Sequence, residues 1–91
     1  MRPRGRRDKN QGEVVAALRA AGASVIDLAG VGRGCPDLAI GYNGVTLFLE
    51  VKSPGGRLTP DQEAWFSQWR GRAVVIRSAG EALALIERMG V

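Results

Sequence analysis

Three side chains stand out for the chemistry they could do together: Asp37, Glu50 and Lys52. Between the segments that carry them lies Asn43-Gly44, and Asn-Gly flanked by alternating apolar residues is a strong signal for a tight hairpin. A two-residue loop fixes the pairing. Tyr42 meets Val45, Ile40 meets Leu47 and Leu38 meets Leu49, a wholly apolar face; on the other face Gly41 meets Thr46, Ala39 meets Phe48 and Asp37 meets Glu50. Side chains alternate along a strand, so Lys52 points the same way as Glu50. Directly opposed residues have Cβ atoms about 5 Å apart, and two carboxylates so placed repel unless a positive charge offsets them. Lys52 is one candidate for that charge and a divalent metal ion is the other. Taken alone, Glu-x-Lys is a common tripeptide and suits the solvated end of a hairpin; Asp37 after Pro36, set against Glu50, makes the joint pattern informative.

Composition removes the rival chemistries. The chain has no histidine, which excludes any reaction or metal site that needs imidazole. One cysteine, Cys35, can form neither an internal disulfide nor a thiolate zinc cage. With no histidine to activate it, it reads as a small packing residue, and a thiol that stays free fits a reducing compartment. No apolar run approaches the ~20 residues of a membrane span. The apolar stretch after the basic start is broken by Glu13 and Arg19, unlike a signal peptide. The formal charge is +4, and its location matters more than its size. Arg2, Arg4, Arg6, Arg7 and Lys9 against Asp8 carry the whole excess, and the remaining residues balance. The protein is a neutral body with a basic start. Residues 1–7 read as a flexible basic arm, either a solvated tail or a phosphate contact adding salt-sensitive affinity.

The elements that must position these residues follow from local signals. With 91 residues the chain makes one domain, expected over 8–91, and so small a body favours oligomerisation or a bound ion. Asp8 with Gln11 predicts a helix start, Val14, Val15, Leu18 and Ala21 its apolar face, and Gly22 its stop. A short strand is expected over 24–28, then a glycine-rich loop over 29–36, then hairpin strands over 37–42 and 45–51. Thr59, Pro60 and Gln62 open a second helix with Trp65, Phe66 and Trp69 as its buried stripe and Gly71 as its end. These aromatic residues read as core or dimer contacts rather than base-stacking groups. Residues 73–77 predict a strand, and Ser78 with Glu81 a capping box for a last helix with Ala82, Leu85, Ile86 and Met89 on one face. The order α-β-β-β-α-β-α, without repeats, predicts a single α/β domain. The loop Gly30-Val31-Gly32-Arg33-Gly34 is not a dinucleotide fingerprint, because Cys35-Pro36 and a strand follow where a helix is required; no nucleotide cofactor is expected.

Pro36-Asp37 followed by Glu50-Val51-Lys52 resembles the PD-(D/E)XK nuclease signature. With Gln11-Gly12-Glu13, Gly34-Cys35-Pro36-Asp37-Leu38 and Leu58-Thr59-Pro60-Asp61-Gln62, the fuller set resembles the virus-type replication-repair nuclease (VRR-NUC) domain, including stand-alone phage members, over roughly residues 8–87. The resemblance implies a restriction-endonuclease-like core, a mixed sheet flanked by helices. It also implies Mg²⁺-dependent hydrolysis of DNA phosphodiesters, with Mn²⁺ able to substitute. Asp37 and Glu50 would bind the ion, the Val51 backbone carbonyl would add a ligand, and Glu13 would reach it through water unless it is simply solvated. Lys52 would sit beside the attacking water or stabilise charge on phosphorus. Gln62 would support the lysine, unless it serves only as the capping partner of Thr59. Arg33, Arg4, Arg6, Arg7 and Lys9 would contact DNA. The loop after Lys52 is short, so loop-borne substrate contacts of the family are not carried over. By resemblance the substrate is branched DNA such as a four-way (Holliday) junction. One domain holds one active centre and cutting two strands needs two, so a homodimer is expected; no membrane association is expected, and the expected setting is the cytoplasm of a bacterial or phage-infected host cell. Two rival readings fit the same residues: a non-catalytic DNA-binding or assembly module of this fold, and a nuclease subunit active only within a larger complex.

Overall fold

A computed structural model describes residues 5–89, with side chains from Lys9 onward. The elements are α1 (Gly5–Ala20), β1 (Ser24–Asp27), β2 (Leu38–Tyr42), β3 (Val45–Val51), α2 (Pro60–Gln68), β4 (Ala73–Ile76) and α3 (Ala79–Met89). The strands form one four-stranded sheet in the order β1-β2-β3-β4. The first two pairings are antiparallel and β3 runs parallel to β4. A parallel neighbour needs a crossover, and the segment carrying α2 supplies it.

The hairpin has the register read from the sequence, from Tyr42↔Val45 to Leu38↔Leu49. Asn43 and Gly44 both have positive φ, 52° and 76°, the conformation a two-residue turn needs to match strand twist. One face of the sheet carries Leu38, Ile40, Leu47, Leu49, Val51 and Ile76. With Val14 and Leu18 of α1 and Ala82, Ile86 and Met89 of α3 they form a single buried core. α1 and α3 pack on each other over that face. At the sheet's open edge the Arg19 guanidinium donates to the Val25 carbonyl at 3.2 Å, occupying an edge acceptor that would otherwise invite another strand.

Several boundaries differ from expectation. α1 begins at Gly5, so Asp8 lies inside the helix and is not its N-cap. Nothing from Gly5 to Asp8 breaks a helix, and arginine is a good helix former. The boundary expected between residues 7 and 8 therefore falls within α1, and residues 1–4 lie outside the described residues. α2 ends at Gln68 with Trp69 as C-cap, and none of its residues is buried. The aromatic stripe is thus not core, because the core lies on the other side of the sheet. At α3, Ser78 Oγ accepts from the Glu81 N–H at 3.1 Å, but Glu81 Oε1 takes the N–H of Arg77 at 2.7 Å, one residue earlier than a capping box would have it.

Candidate active site

Alternation along β3 builds the site. Leu47, Leu49 and Val51 enter the core, so Phe48, Glu50 and Lys52 must face the other way, toward α2. On that face burial rises toward the end of the strand. Phe48 is half-buried, while Glu50 is 0% and Lys52 8% exposed. Asp37 joins them at 6% exposure. Charges this deep persist only where other groups offset them.

The partners are specific. Lys52 Nζ lies 3.5 Å from Glu50 Oε2. Gln62 Nε2 donates to the same Glu50 oxygen at 3.0 Å. Asp37 Oδ2 accepts from the Val51 N–H at 2.9 Å. The ladder stops at Leu38↔Leu49, so Asp37 stands one residue beyond it and bonds across the gap with its side chain. In charged form two carboxylates and one ammonium leave a net negative charge in the cluster, which favours a further cation.

Gln62 does two jobs. Its Oε1 accepts from the Thr59 N–H at 2.9 Å, and its N–H reaches Thr59 Oγ1 at 3.2 Å, closing the capping box that starts α2. The other end of its amide holds Glu50. The glutamine therefore touches the carboxylate, not the lysine, and meets Lys52 only through their shared oxygen. The glycine-rich loop closes over the same helix start. Gly34 has φ +80°, and a Cβ there would overlap the Asp61 backbone carbonyl, so only glycine permits this approach. Cys35, next in the chain, is half-buried. Its thiol is pushed up by desolvation first and then by the charges of Glu50 and Asp37, a setting that keeps it protonated and unreactive.

Two positioning residues were not legible in the sequence. Asn10 Nδ2 donates to the carbonyls of Lys52 and Arg77, both at 3.2 Å, tying together the ends of the two parallel strands. Arg77 donates to the carbonyls of Ser53 and Gly56 at 2.9 and 2.7 Å, fastening the turn after Lys52. Local patterns carry no trace of bonds spanning 42 and 67 residues.

The remaining candidates are dispersed. Glu13 is exposed, and among the described residues no three His, Cys, Asp or Glu side chains cluster closely enough to hold a metal. Glu13 thus does not complete a direct three-residue ligand set with Asp37 and Glu50. Arg33 is exposed with φ 58° in the glycine-rich loop, and Lys9 is exposed on α1. Arg4 and the side chains of Arg6 and Arg7 lie outside the described residues. No described helix is long and apolar enough to cross a membrane.

Element order, mixed sheet and the buried acid–acid–lysine cluster place the chain among α/β domains of nuclease type. A family model described as the VRR-NUC domain matches residues 5–80. A solved structure titled "VRR_NUC domain" is similar with a TM-score of 0.74 and 29% identity, covering 89% of this chain and 94% of that one. No curated protein matches. The chain belongs to the VRR-NUC family.

Proposed function

We propose that the protein is a Mg²⁺-dependent DNA endonuclease that hydrolyses phosphodiester bonds, with branched DNA such as a four-way junction as substrate and a homodimer as the active form. One observation carries this reading. Asp37, Glu50 and Lys52 are buried together at the end of one strand pair, with Lys52 3.5 Å from Glu50, an arrangement whose desolvation cost a purely structural role does not require.

The donor set suits a hard cation. Mg²⁺ is commonly held by one or two carboxylates, with waters and substrate phosphate completing six positions, so two acids without a third are sufficient. Asp37 and Glu50 would hold the ion. The Val51 carbonyl suits a third position for a chemical reason: two residues further, the hairpin register would set Pro36 against Val51, and proline has no N–H to give. When bound, the ion would polarise the phosphate and lower the pKa of a water. Lys52, fixed by Glu50 from the side and by Asn10 at its carbonyl, presents its ammonium to the water or to charge growing on phosphorus. Gln62 orients Glu50. Arg33, Lys9 and the basic start supply phosphate contacts around an otherwise neutral body.

The test is cleavage of labelled linear duplex, flap and four-way junction DNA in Mg²⁺, Mn²⁺ and EDTA. Asp37→Asn, Glu50→Gln and Lys52→Met should each lower the rate by about 10²–10³-fold, the range lost with a charge-stabilising group. Full activity in EDTA would refute the metal-dependent mechanism. Metal-independent DNA binding without cutting would favour a non-catalytic module, and cutting only with an added partner protein would favour a nuclease subunit.

A further inference from the structure

The α2 side of the sheet carries a second feature that the acid–lysine chemistry does not use. Phe48, Trp65, Phe66 and Trp69 form a continuous aromatic cluster. Trp65 and Trp69 stack with centroids 4.9 Å apart at 15°, and Phe48 meets them edge-on at 5.6 and 4.8 Å. Phe66 joins through Trp65 at 5.4 Å. This cluster is partly open to solvent: Phe48, Trp65 and Phe66 are half-buried, and Trp69 is 42% exposed. It is also fixed. The Trp69 backbone N–H donates to the Trp65 carbonyl at 3.0 Å, closing the end of α2. A Cβ on Gly71 would lie 2.9 Å from Trp69 Nε1, so the glycine lets the chain fold back against the indole edge.

Two further facts say what the cluster suits. Arg70 and Arg72 flank it and are exposed, so rigid π-surface and positive charge occur together. Phe48 is two residues before Glu50 on one strand face, about 7 Å away, and Gln62, which holds Glu50, stands on the same stripe of α2 as Trp65 and Trp69. We infer that this cluster is a stacking platform for unpaired DNA bases beside the phosphate held at Asp37 and Glu50, with Arg70 and Arg72 on the strand's backbone. Aromatic faces with adjacent arginines bind single strands without sequence preference, because every base offers a π-face. The inference rests on the nuclease reading for the identity of the strand and deepens it, since a duplex offers no unstacked base to this surface.

Trp65 and Trp69 are the two tryptophans of the chain, so intrinsic fluorescence reports on this surface directly. Titration with a short oligothymidylate in EDTA should quench the emission; a blunt duplex of equal length should not. Trp69→Ala should weaken oligothymidylate binding, followed by anisotropy of a labelled strand, at least about 5-fold, the effect of losing one stacked base. Trp69→Phe should restore most of it, and Arg70→Ala should reduce its salt dependence. Absence of quenching by oligothymidylate, or unchanged affinity in Trp69→Ala, overturns the platform. A blue shift on raising protein concentration without DNA would assign the surface to a second copy and also overturn it. Glu50→Gln should lose cleavage and keep the quench. Quenching without cleavage by wild type would refute only the nuclease reading, and cleavage without quenching only the platform.

Discussion

Glu50 concentrates the functional argument in one residue. It is fully buried, shares one oxygen between Lys52 and Gln62, and sits in a cluster where acids outnumber the lysine. Such a site should be less stable without metal than with it. A ligand that binds only the folded state stabilises it by RT ln(1 + [L]/Kd), about 1.4 kcal/mol at ten times Kd. For a domain of this size that is roughly 5–10 °C in Tm. Mn²⁺ or Mg²⁺ should therefore raise the melting temperature of the wild type, while Asp37→Asn and Glu50→Gln show no such rise. An undiminished shift in Glu50→Gln would remove it from the ligand set.

The element that matters most beyond β3 is α2, because its first turn is built from the residue that touches the site. Thr59 and Gln62 cap the helix together, but only Gln62 continues to Glu50. The two functions separate by mutation. Thr59→Ala should cost about 1 kcal/mol of stability, the usual loss for an N-cap, with little change in rate. Gln62→Ala should in addition lower metal affinity or cleavage about 10–100-fold, the range for a residue that orients a metal ligand. Urea melts and cleavage rates on both variants check this; equal rates would reduce Gln62 to a capping residue.

At the scale of the molecule the sheet divides the work. α1 and α3 cover one face and build the core, leaving the other face for Glu50, Lys52 and the aromatic cluster. The described residues hold one acid–lysine centre, so the proposed cutting of two strands would call for two copies. Ile26 and Val31, 61% and 60% exposed, offer apolar surface for such an association. Light scattering should give about twice the 9.7 kDa chain mass; a monomer at working concentration would contradict the homodimer.

Much of this was legible from the chain because its signals are local. Asn43-Gly44 fixed the turn, the turn fixed the register, and the register put Asp37, Glu50 and Lys52 on one side of a strand pair. The same logic placed Gln62 at the start of α2. The helix boundaries were less legible. Asp8 looked like a cap because its side chain suits one, but the favourable residues before it let α1 extend to Gly5. The Trp65, Phe66 and Trp69 stripe looked like core because apolar periodicity tells which face turns inward, not how much covers it.

By itself, then, the sequence determined the element order, the hairpin pairing and the chemistry available: carboxylates and lysine, with no imidazole. These follow from turn conformation, alternation and composition, which act between near neighbours. Only the tertiary structure decided that Gln62 holds Glu50, that Asn10 and Arg77 fasten the strand ends, that Gly34 lies against the Asp61 carbonyl, and that the aromatic stripe stays outside the core and partly exposed. Those outcomes depend on which surfaces meet across the fold. Contacts between distant segments are set by packing and burial of the whole chain, and no local pattern encodes them.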